Sequence, residues 1–388
     1  MKKSSILIVQ PVGQFAGSLK SLEEYVKLLR NKYNFIFITP SGIAKKRLKK
    51  YGKVIEVIGL SKFDNSQFGS YKGLRYLLLI REVFLIIPTF FAIFKVKKYY
   101  KNIKLIHFNE ITLIPTIFLF KFFFKVPFIL HCRTLYNNHN LFSKTINNFL
   151  SKNISTIVAI DNEIKSSLNK GLPVIVIRNI INLKGKNKKN YTTSEYLNIG
   201  FLGSFLKFKG LEDLIKVCNN LSSRGIKIKL ILAGSYITNQ NFLFKLFGLT
   251  NNIDKDLIVN SKNVLNLGHL NELSFFYNKI DILCFPSYLN ALGRQVFEAG
   301  FFNKPSIVCL NKKYSDSFIN KKTGLSFKNP GSLKQLEKLI LFFYFNKKEI
   351  NKMGMNAKKL IQKNFDLKKN LSKMDNLYNK LIYSQSKR

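Results

Sequence analysis

The chain has 388 residues, of which 46% are hydrophobic, and its formal net charge is +43 at pH 7. This length suits about two ordinary domains, and the apolar content excludes a generally disordered chain. A basic excess in both halves attracts polyanions such as nucleic acid, anionic lipid or phosphorylated substrates, although a bias towards Lys, Asn, Ile and Phe explains the charge equally well. The four cysteines are scattered without a CxxC pair, which argues against a zinc or disulfide framework and favours a reducing cytoplasm.

Short apolar runs alternate with helical patterns along the whole chain. The first run, residues 6–9, is too short for the apolar part of a secretory signal and predicts a buried strand. The predicted strands are 5–9, 35–39, 105–108, 128–131, 157–160, 174–178, 198–202, 229–233, 264–267, 282–285 and 306–310. Nearly continuous apolar strands separated by helices indicate parallel sheets covered on both faces. We therefore predict an α/β fold with two doubly wound parallel-sheet domains.

A basic, polar stretch at residues 183–196 (LKGKNKKNYTTSEY) has almost no apolar periodicity and predicts a linker. It separates a first domain, residues 1–182, from a second domain, residues 197–365. Residues 366–388 predict a C-terminal helix that packs back towards the first domain.

Two stretches of the first domain are unusually apolar, VFLIIPTFFAIF at residues 83–94 and ITLIPTIFLFKFFF at residues 111–124. Both are shorter than the roughly 18–20 apolar residues that span a bilayer, and both contain a proline. Two alternatives remain open. The segments form buried helices, or they present Phe-rich faces with lysine rims to an anionic membrane surface.

In the second domain, a predicted strand runs into the loop GSFLKFKG at residues 203–210, and a helical pattern follows. Backbone N–H groups and the helix dipole at such a turn can face a phosphate. Lys209 would add a positive charge. Many α/β turns contain glycine and lysine, so this loop alone is weak evidence for a ligand.

A second motif, DILCFPSYLNALGRQVFEAG, occupies residues 281–300. It predicts a strand followed by a helix that Ser287 or Asn290 caps, at the edge of the sheet where α/β proteins bind ligands. Glu298 would lie about two turns beyond Asn290, where its carboxylate can accept both hydrogens of a vicinal diol such as a ribose. The alternative makes Glu298 an ordinary surface acid and Asn290 only a cap.

These motifs occur in order with LILAGS (230–235), VLNLGHL (264–270), NKPSIV and TGLSF (323–327), and together they resemble the second domain of family 4 glycosyltransferases. That family has the GT-B fold, in which two Rossmann-like domains face a central cleft. The resemblance implies a retaining, hexosyltransferase-type enzyme that uses a nucleotide sugar, UDP- or GDP-linked, and needs no metal or other cofactor. The implied acceptor is a saccharide or polyprenyl-linked saccharide, in surface polysaccharide or lipopolysaccharide assembly.

The resemblance also assigns residues of the second domain. Lys209 would contact the donor diphosphate, Glu298 would hold the ribose hydroxyls, and the amides of residues 291–293 would meet the transferred sugar or its phosphate. The predicted donor-binding residues are Gly17, Gly203, Ser204, Lys209, Asn290, Ala291, Leu292, Gly293, Arg294 and Glu298.

Two positions depart from the family pattern. Asn290 stands where the family usually has a glutamate, and Ser204 stands where it usually has a basic residue. Asn290 can still hydrogen-bond sugar hydroxyls, but it is neutral. Ser204 removes one positive charge near the diphosphate, and Arg294 is a candidate to replace it.

The first domain supplies a loop, GQFAGS at residues 13–18, that is not a GxGxxG motif. In the resembled family this loop lies near the sugar and phosphates, while the alternative is a tight turn without a ligand. His131 matches a family histidine near the sugar, and we predict His131, Lys209 and Glu298 as the catalytic group. Gly13, Gln14 and Arg133 are predicted acceptor-binding residues, since the forked donors of arginine suit a phosphate or carboxylate. The histidines at 107, 139 and 269 have no comparable placement.

In the implied mechanism, the leaving diphosphate accepts the proton of the acceptor, and the protein stabilises the charge on that phosphate. Two rivals keep nucleotide-sugar binding: an epimerase or hydrolase of the same fold, and a non-catalytic relative. A non-catalytic basic binding protein is the rival from another class, but no nucleic-acid-binding module is recognisable. We expect a cytoplasmic protein, peripheral on the inner face of the membrane.

Overall fold

A computed structural model describes residues 3–14, 17–66, 76–138, 142–181, 183, 195–236, 252–289, 291–311 and 316–384. The chain divides into two compact units. The first contains residues 1–181 and 365–388, and the second contains residues 182–364. The predicted linker at 183–196 lies mostly outside the described residues.

The first unit is a seven-stranded parallel sheet in the order β3-β2-β1-β4-β5-β6-β7. Its strands are β1 (Ser4–Val9), β2 (Tyr33–Pro40), β3 (Gly52–Val57), β4 (Ile103–Phe108), β5 (Phe128–Cys132), β6 (Thr156–Ala159) and β7 (Val174–Val176). Its helices are α1 (Gly17–Leu29), α2 (Ile43–Leu48), α3 (Leu78–Phe84), α4 (Ile86–Tyr99), α5 (Ile114–Phe123), α6 (Ser143–Asn153), α7 (Asn162–Ser167) and the C-terminal helix α14 (Leu367–Ser384).

The second unit is a six-stranded parallel sheet in the order β10-β9-β8-β11-β12-β13. Its strands are β8 (Leu197–Leu202), β9 (Ile228–Ala233), β10 (Val264–Asn266), β11 (Ile282–Phe285), β12 (Ser306–Cys309) and β13 (Gly324–Phe327). Its helices are α8 (Leu211–Ser223), α9 (Lys255–Val259), α10 (Leu273–Lys279), α11 (Arg294–Phe301), α12 (Leu333–Phe345) and α13 (Lys347–Asn364).

Alternation along the central strands divides each core into two layers, because successive side chains of a strand point to opposite faces. In β1, Leu7 and Val9 pack on the side of α4 and α5, while Ile6 and Ile8 pack on the side of α1 and α14. The second unit repeats this arrangement on the two faces of its sheet. The predicted fold class, two doubly wound parallel-sheet α/β units, is confirmed.

All eleven predicted strands are present, with ends shifted by a few residues. The sequence prediction missed β3 and β13, which are edge strands of their sheets. In β3 the side chains alternate between exposed or half-buried and buried positions, so the segment lacks the continuous apolar run of the central strands. An edge strand needs less apolar sequence because only one neighbour pairs with it.

The first apolar stretch is neither a fully buried helix nor a membrane span. In α4, Thr89, Ala92, Ile93 and Val96 are buried against the unit. The opposite side of α3 and α4 carries large apolar side chains that are 56–68% exposed, and we call it the apolar face: Ile80, Val83, Phe84, Ile87, Phe91 and Phe94. Among the described residues, no helix is long and apolar enough to cross a bilayer.

Helix α14 joins the first unit through a buried polar contact with the start of β2. The Asp375 carboxylate accepts a hydrogen bond from the Tyr33 hydroxyl at 2.7 Å and forms an ion pair with Lys32. Burial and the carboxylate together raise the pKa of Tyr33 far above its ordinary value. Removing the carboxylate would leave the Tyr33 hydroxyl only the neutral side-chain oxygen of Asn379, 2.8 Å away, and would cost the stronger bond to a charged group.

We therefore expect Asp375→Ala to lower the free energy of unfolding by about 2 kcal/mol, the usual worth of a buried hydrogen bond to a charged group. Chemical denaturation of the full chain measures it. Asn376→Ala, at an exposed position one residue further along the same helix, is the control and should change stability by less than about 0.5 kcal/mol. Equal losses in the two variants would show that Asp375 does not anchor the helix.

Candidate functional site

In the second unit, the two predicted motifs lie side by side at the carboxyl ends of β8 and β11. Gly210 adopts a left-handed conformation with φ of 73°, and a Cβ built there would lie 2.2 Å from the carbonyl oxygen of Pro286. The backbone N–H of Tyr288 also donates to the Phe208 carbonyl at 2.9 Å. Glycine is therefore required at 210 because only a residue without a side chain lets the two loops meet.

Lys209 ends a 3₁₀ turn, Lys207–Lys209, and its ammonium lies 5.4 Å from the ring centroids of both Phe208 and Phe285. No carboxylate within the described ranges pairs with it, and desolvation lowers its pKa. The side chain is partly buried and held between two rings. It is therefore a positioned charge.

Helix α11 begins at Arg294, and Gly293 is its N-cap residue without a side-chain hydrogen bond. The predicted cap by Ser287 or Asn290 is therefore wrong, because both residues precede the helix. Ala291, Leu292 and Gly293 form the half-exposed approach to the helix. Asn290 lies outside the described residues.

Glu298 is only 2% exposed, which excludes the alternative of an ordinary surface acid. One carboxylate oxygen accepts from Arg294 Nε at 2.7 Å, and the other accepts from the Tyr277 hydroxyl at 3.2 Å. A buried charge needs such partners, since an isolated one is strongly disfavoured. Arg294 is therefore the ion-pair partner of Glu298, and its predicted contact with a diphosphate stays a prediction.

The remaining predicted residues of this unit lie in the same loops. Gly203, with φ of 145°, follows β8, and its amide donates to Ala233 at 2.9 Å. A Cβ on Gly203 would lie 3.9 Å from the side-chain amide of Gln295, so the loop after β8 approaches the first turn of α11. Ser204 is half-buried beside it. The structure thus brings Gly203, Ser204, Lys209, residues 291–293 and Glu298 to one edge of the sheet.

In the first unit, the predicted loop after β1 is described except for residues 15 and 16. A Cβ on Gly13 would lie 2.0 Å from the carbonyl oxygen of Ser41, so packing of two turns explains this glycine. Gly17 begins α1, and a Cβ there would have no neighbour within 4 Å. Gln14 is exposed. Packing therefore accounts for one of the two glycines only.

His131 lies within β5 and is 1% exposed. Its Nδ1 lies 3.2 Å from His107 Nε2 and 3.4 Å from Arg133 Nη2. Desolvation and the Arg133 charge lower the pKa of both histidines, that of His107 to about 3. Arg133 also donates to Asn109 Oδ1 at 2.8 Å and to Asn179 Oδ1 at 3.0 Å. Its predicted role in acceptor binding must therefore use donors beyond those bonds.

His107 is the main residue that the sequence prediction missed. It lies one position before the end of β4, as His131 lies one position before the end of β5, and these strands are parallel neighbours. Matching histidines near the ends of two strands (LIHFNE and FILHCR) are a signal that could have indicated the contact. His139 lies outside the described residues, and His269 belongs to the second unit. Among the residues described, no group of three or more His, Cys, Asp or Glu could hold a metal ion.

Known proteins resemble this chain in sequence and in fold. Residues 184–360, somewhat less than half of the chain, match the family model described as Glycosyl transferases group 1. A Staphylococcus aureus protein, the capsular polysaccharide biosynthesis glycosyltransferase CapM, is 23% identical over 204 residues. That match covers 52% of this chain and 50% of the relative, so the chain spans about half the length of the curated relative it matches.

Two solved structures share the fold over nearly the whole chain. The Anabaena protein HepE, in complex with UDP and glucose, has a TM-score of 0.71 at 16% identity and covers 96% of this chain and 99% of its own. A glycosyltransferase from Rickettsia africae has a TM-score of 0.71 at 19% identity and covers 98% and 99%. At these identities the likeness shows the fold, which is GT-B.

One buried carboxyl that accepts from the backbone of Arg133 gives a pH-dependent prediction. Desolvation raises the pKa of Glu110 from 4.5 to about 7, although the backbone amides of Ile111 and Arg133 donate to it. The folded state therefore prefers the protonated acid. The stability from this preference is complete below pH 4.5 and is lost as the pH rises to about 7.

We expect Glu110→Gln to gain about 3 kcal/mol of stability relative to the native chain between pH 4.5 and 7, because each pKa unit corresponds to about 1.4 kcal/mol. Denaturation curves across this range measure the difference. Glu56→Gln is the control. The hydrogen bond from Lys45 lowers the pKa of Glu56, so the native Glu56 gains stability as the pH rises, opposite to Glu110. A stability difference for Glu110→Gln that does not change with pH would contradict the raised pKa of Glu110.

Proposed function

We propose that this chain, which has the GT-B fold and carries a group 1 glycosyl transferase domain at residues 184–360, transfers a sugar from a nucleotide sugar to a saccharide or lipid-linked saccharide. The proposal rests on one observation: Lys209, the amides before α11 and Glu298 lie at the same edge of the second sheet. The proposal places the chain in family 4, with retention of configuration.

The electrostatics of this edge suit a nucleoside diphosphate. Lys209 is a partly desolvated cation without a carboxylate partner in the described part of the chain. Such a charge interacts more strongly with an anion than a charge in water does. The uncapped start of α11 adds backbone N–H donors and the positive end of the helix dipole. We assign the diphosphate to these groups, with no metal required.

Glu298 suits a diol because a carboxylate can accept hydrogen bonds beyond those that Arg294 and Tyr277 donate. Arg294 and Tyr277 donate to it and fix its orientation before a ribose arrives. HepE was solved with UDP and with UDP-glucose, which supports a uridine nucleotide as the first donor to test. A GDP-linked sugar is the second donor to test.

In the proposed transfer, the C–O bond between the sugar and the diphosphate breaks, and the new C–O bond forms to the acceptor hydroxyl. The leaving phosphate oxygen takes the proton of that hydroxyl. Lys209 and the loop amides then stabilise the charge that develops on the phosphate, which is the largest contribution a preorganised site makes.

The apolar face supports a second part of the proposal, a peripheral position on the inner surface of the cytoplasmic membrane. Ile87, Phe91 and Phe94 follow the i, i+4, i+7 spacing of one helix face, and each is more than half exposed. Exposed lysines at 95, 97 and 98 end the same helix. Aromatic side chains beside lysines suit an interface with anionic lipid headgroups. This position would bring the enzyme to a lipid-linked acceptor in surface polysaccharide assembly.

The donor assignment is tested by thermal shift with UDP-glucose and a panel of other nucleotide sugars. We expect one donor class to stabilise the protein, and Lys209→Ala to weaken that donor's binding by about tenfold or more, because a charge-assisted contact is lost. Glu298→Gln should also lose most of the shift while keeping the side chain's shape.

Lys207→Ala is the matched control, since Lys207 is exposed on the same 3₁₀ turn. It should keep the native shift. Equal donor binding by Lys207→Ala and Lys209→Ala would refute the diphosphate assignment, and an inert native protein would refute the donor site. Turnover of the donor without an acceptor would instead indicate an epimerase or hydrolase.

The membrane position is tested by cosedimentation with vesicles of phosphatidylcholine and phosphatidylglycerol. We expect binding that needs the anionic lipid and is released by high salt, as electrostatic attraction is screened. The double variant Phe91→Ser, Phe94→Ser should bind at least about tenfold more weakly because it buries less apolar surface. Phe345→Ser, at a position 71% exposed in the other unit, is the control. Failure to bind at any salt concentration would exclude this part of the proposal.

A further inference from the structure

An open groove of about 1110 Å³ lies at the amino edge of the first sheet, which is the edge where its strands begin. The starts of β1, β4 and β5, the ends of α5 and α6, and the last residues of α14 line this groove. All of them belong to the first unit. The groove is therefore a different place from the carboxyl edge, where His131 and Arg133 lie.

The groove has a strongly basic lining, because none of the described residues that form it is acidic and four are lysines: Lys104, Lys121, Lys125 and Lys152. Lys104, Lys121 and Lys152 are exposed, and none of the three forms an ion pair within the described part of the chain. Nearby polar side chains of the lining, such as Asn153 and Ser155, are neutral. Like charges in one groove repel one another, so an anion bound among them is stabilised.

The helix dipole accounts for only part of this lysine cluster. A lysine in the last turn of a helix stabilises the negative end of the dipole, and Lys121 and Lys152 hold such positions in α5 and α6. Lys104 is the second residue of β4, so the dipole of its own element does not explain it. The convergence of lysines from a strand and from two helices favours an anionic ligand.

Exposed aromatic rings lie one turn before the lysines on the same two helices. Phe118 and Phe122 on α5 are 51% and 69% exposed, and their ring centroids are 5.1 Å apart. Phe149 on α6 lies 5.8 Å from Phe118, so the rings bridge the two helices. Lys121 and Lys152 follow Phe118 and Phe149 by three positions, which places each pair on one helix side. A free phosphate gains nothing from these rings, whereas an acyl chain leaves water by packing on them.

We propose that this groove binds the phosphate headgroup of one anionic phospholipid, such as phosphatidylglycerol. Lys104, Lys121 and Lys152 are the partners of the phosphate, and an acyl chain lies against Phe118 and Phe122. Helix α5 packs against α4, so the bound lipid would lie beside the apolar face. In a bilayer this inference rests on the membrane position proposed above, whereas the binding of a single lipid molecule depends only on the first unit.

The chain contains no tryptophan, so Phe122→Trp in the full chain places a single fluorescent reporter beside the groove. The probe is dihexanoyl phosphatidylglycerol, kept below its micelle concentration so that it is present as single molecules. We expect a saturable shift of the emission to shorter wavelength, because the acyl chain removes water from the ring. Dihexanoyl phosphatidylcholine has no net charge and should bind at least about tenfold more weakly. A second reporter, Phe345→Trp in the other unit, should not shift.

Variants of the reporter chain test the lysines. Lys104→Gln combined with Lys152→Gln removes two charges while keeping long polar side chains, and should weaken lipid binding by about tenfold or more. The matched control is Lys229→Gln combined with Lys262→Gln. Lys229 is the exposed second residue of β9, as Lys104 is of β4, and exposed Lys262 precedes β10. This control should keep native lipid binding, and both double variants should keep the native unfolding temperature because all four lysines are exposed.

Equal lipid binding by the two double variants, or no shift of the Phe122→Trp reporter, would overturn the proposal. Glycerol 3-phosphate that competes as well as the whole lipid would show a site for soluble phosphate and overturn the lipid assignment. A reporter shift that depends on protein concentration without lipid would show that a second copy of the chain covers the rings, with the same consequence.

Vesicle cosedimentation separates this inference from the proposed membrane position. If the short-chain lipid binds through the groove lysines but vesicles do not bind the native chain, only the membrane position fails. If vesicle binding needs Phe91 and Phe94 but is unchanged by Lys104→Gln with Lys152→Gln, only the groove fails. We expect both sets of substitutions to weaken vesicle binding.

Discussion

The constraint on which the rest of this protein depends is the reversal of strand order in each parallel sheet. In both units the chain proceeds outward from a first strand and then returns to its other side, so β1 neighbours β4 and β8 neighbours β11. The loops that leave these strands diverge to opposite faces, and a crevice opens between them at the carboxyl edge. Each unit places its chemistry-bearing residues at this point.

The two units line this edge in different ways. In the first, side chains bridge the two strands: Asn109, after β4, donates to Gln10, after β1, at 2.6 Å. In the second, backbone meets backbone, because Gly210 lies against Pro286 and leaves no room for a side chain. The first edge is consequently held by a network of neutral amides and imidazoles around one arginine. The second presents main-chain groups and a lysine, which suits a phosphate better.

The sequence predicted what depends on local pattern and on several motifs in register. All central strands, both sheets and the loop residues of the second unit follow from apolar runs and glycine positions. It did not predict contacts between side chains distant in the chain, such as His107 with Tyr378, which are separated by 271 positions. It also misplaced the start of α11, because Ser287 and Asn290 are good cap residues by local preference, whereas the helix begins at Arg294, after a loop in which the Tyr288 amide donates to the Phe208 carbonyl.

The buried state of Glu298 explains why its neighbours matter as much as the carboxylate itself. A lone carboxylate at 2% exposure would be driven towards protonation by desolvation, and a protonated acid would be a poorer acceptor for a diol. Arg294 and Tyr277 donate hydrogen bonds to it, and burial together with this carboxylate raises the pKa of Tyr277 well above its ordinary value. The histidine pair shows the reverse balance, because burial and then the positive charge of Arg133 lower the pKa of both imidazoles. In both places an arginine lies against a buried titratable group, as the ion-pair partner of a carboxylate in one unit and beside two imidazoles in the other.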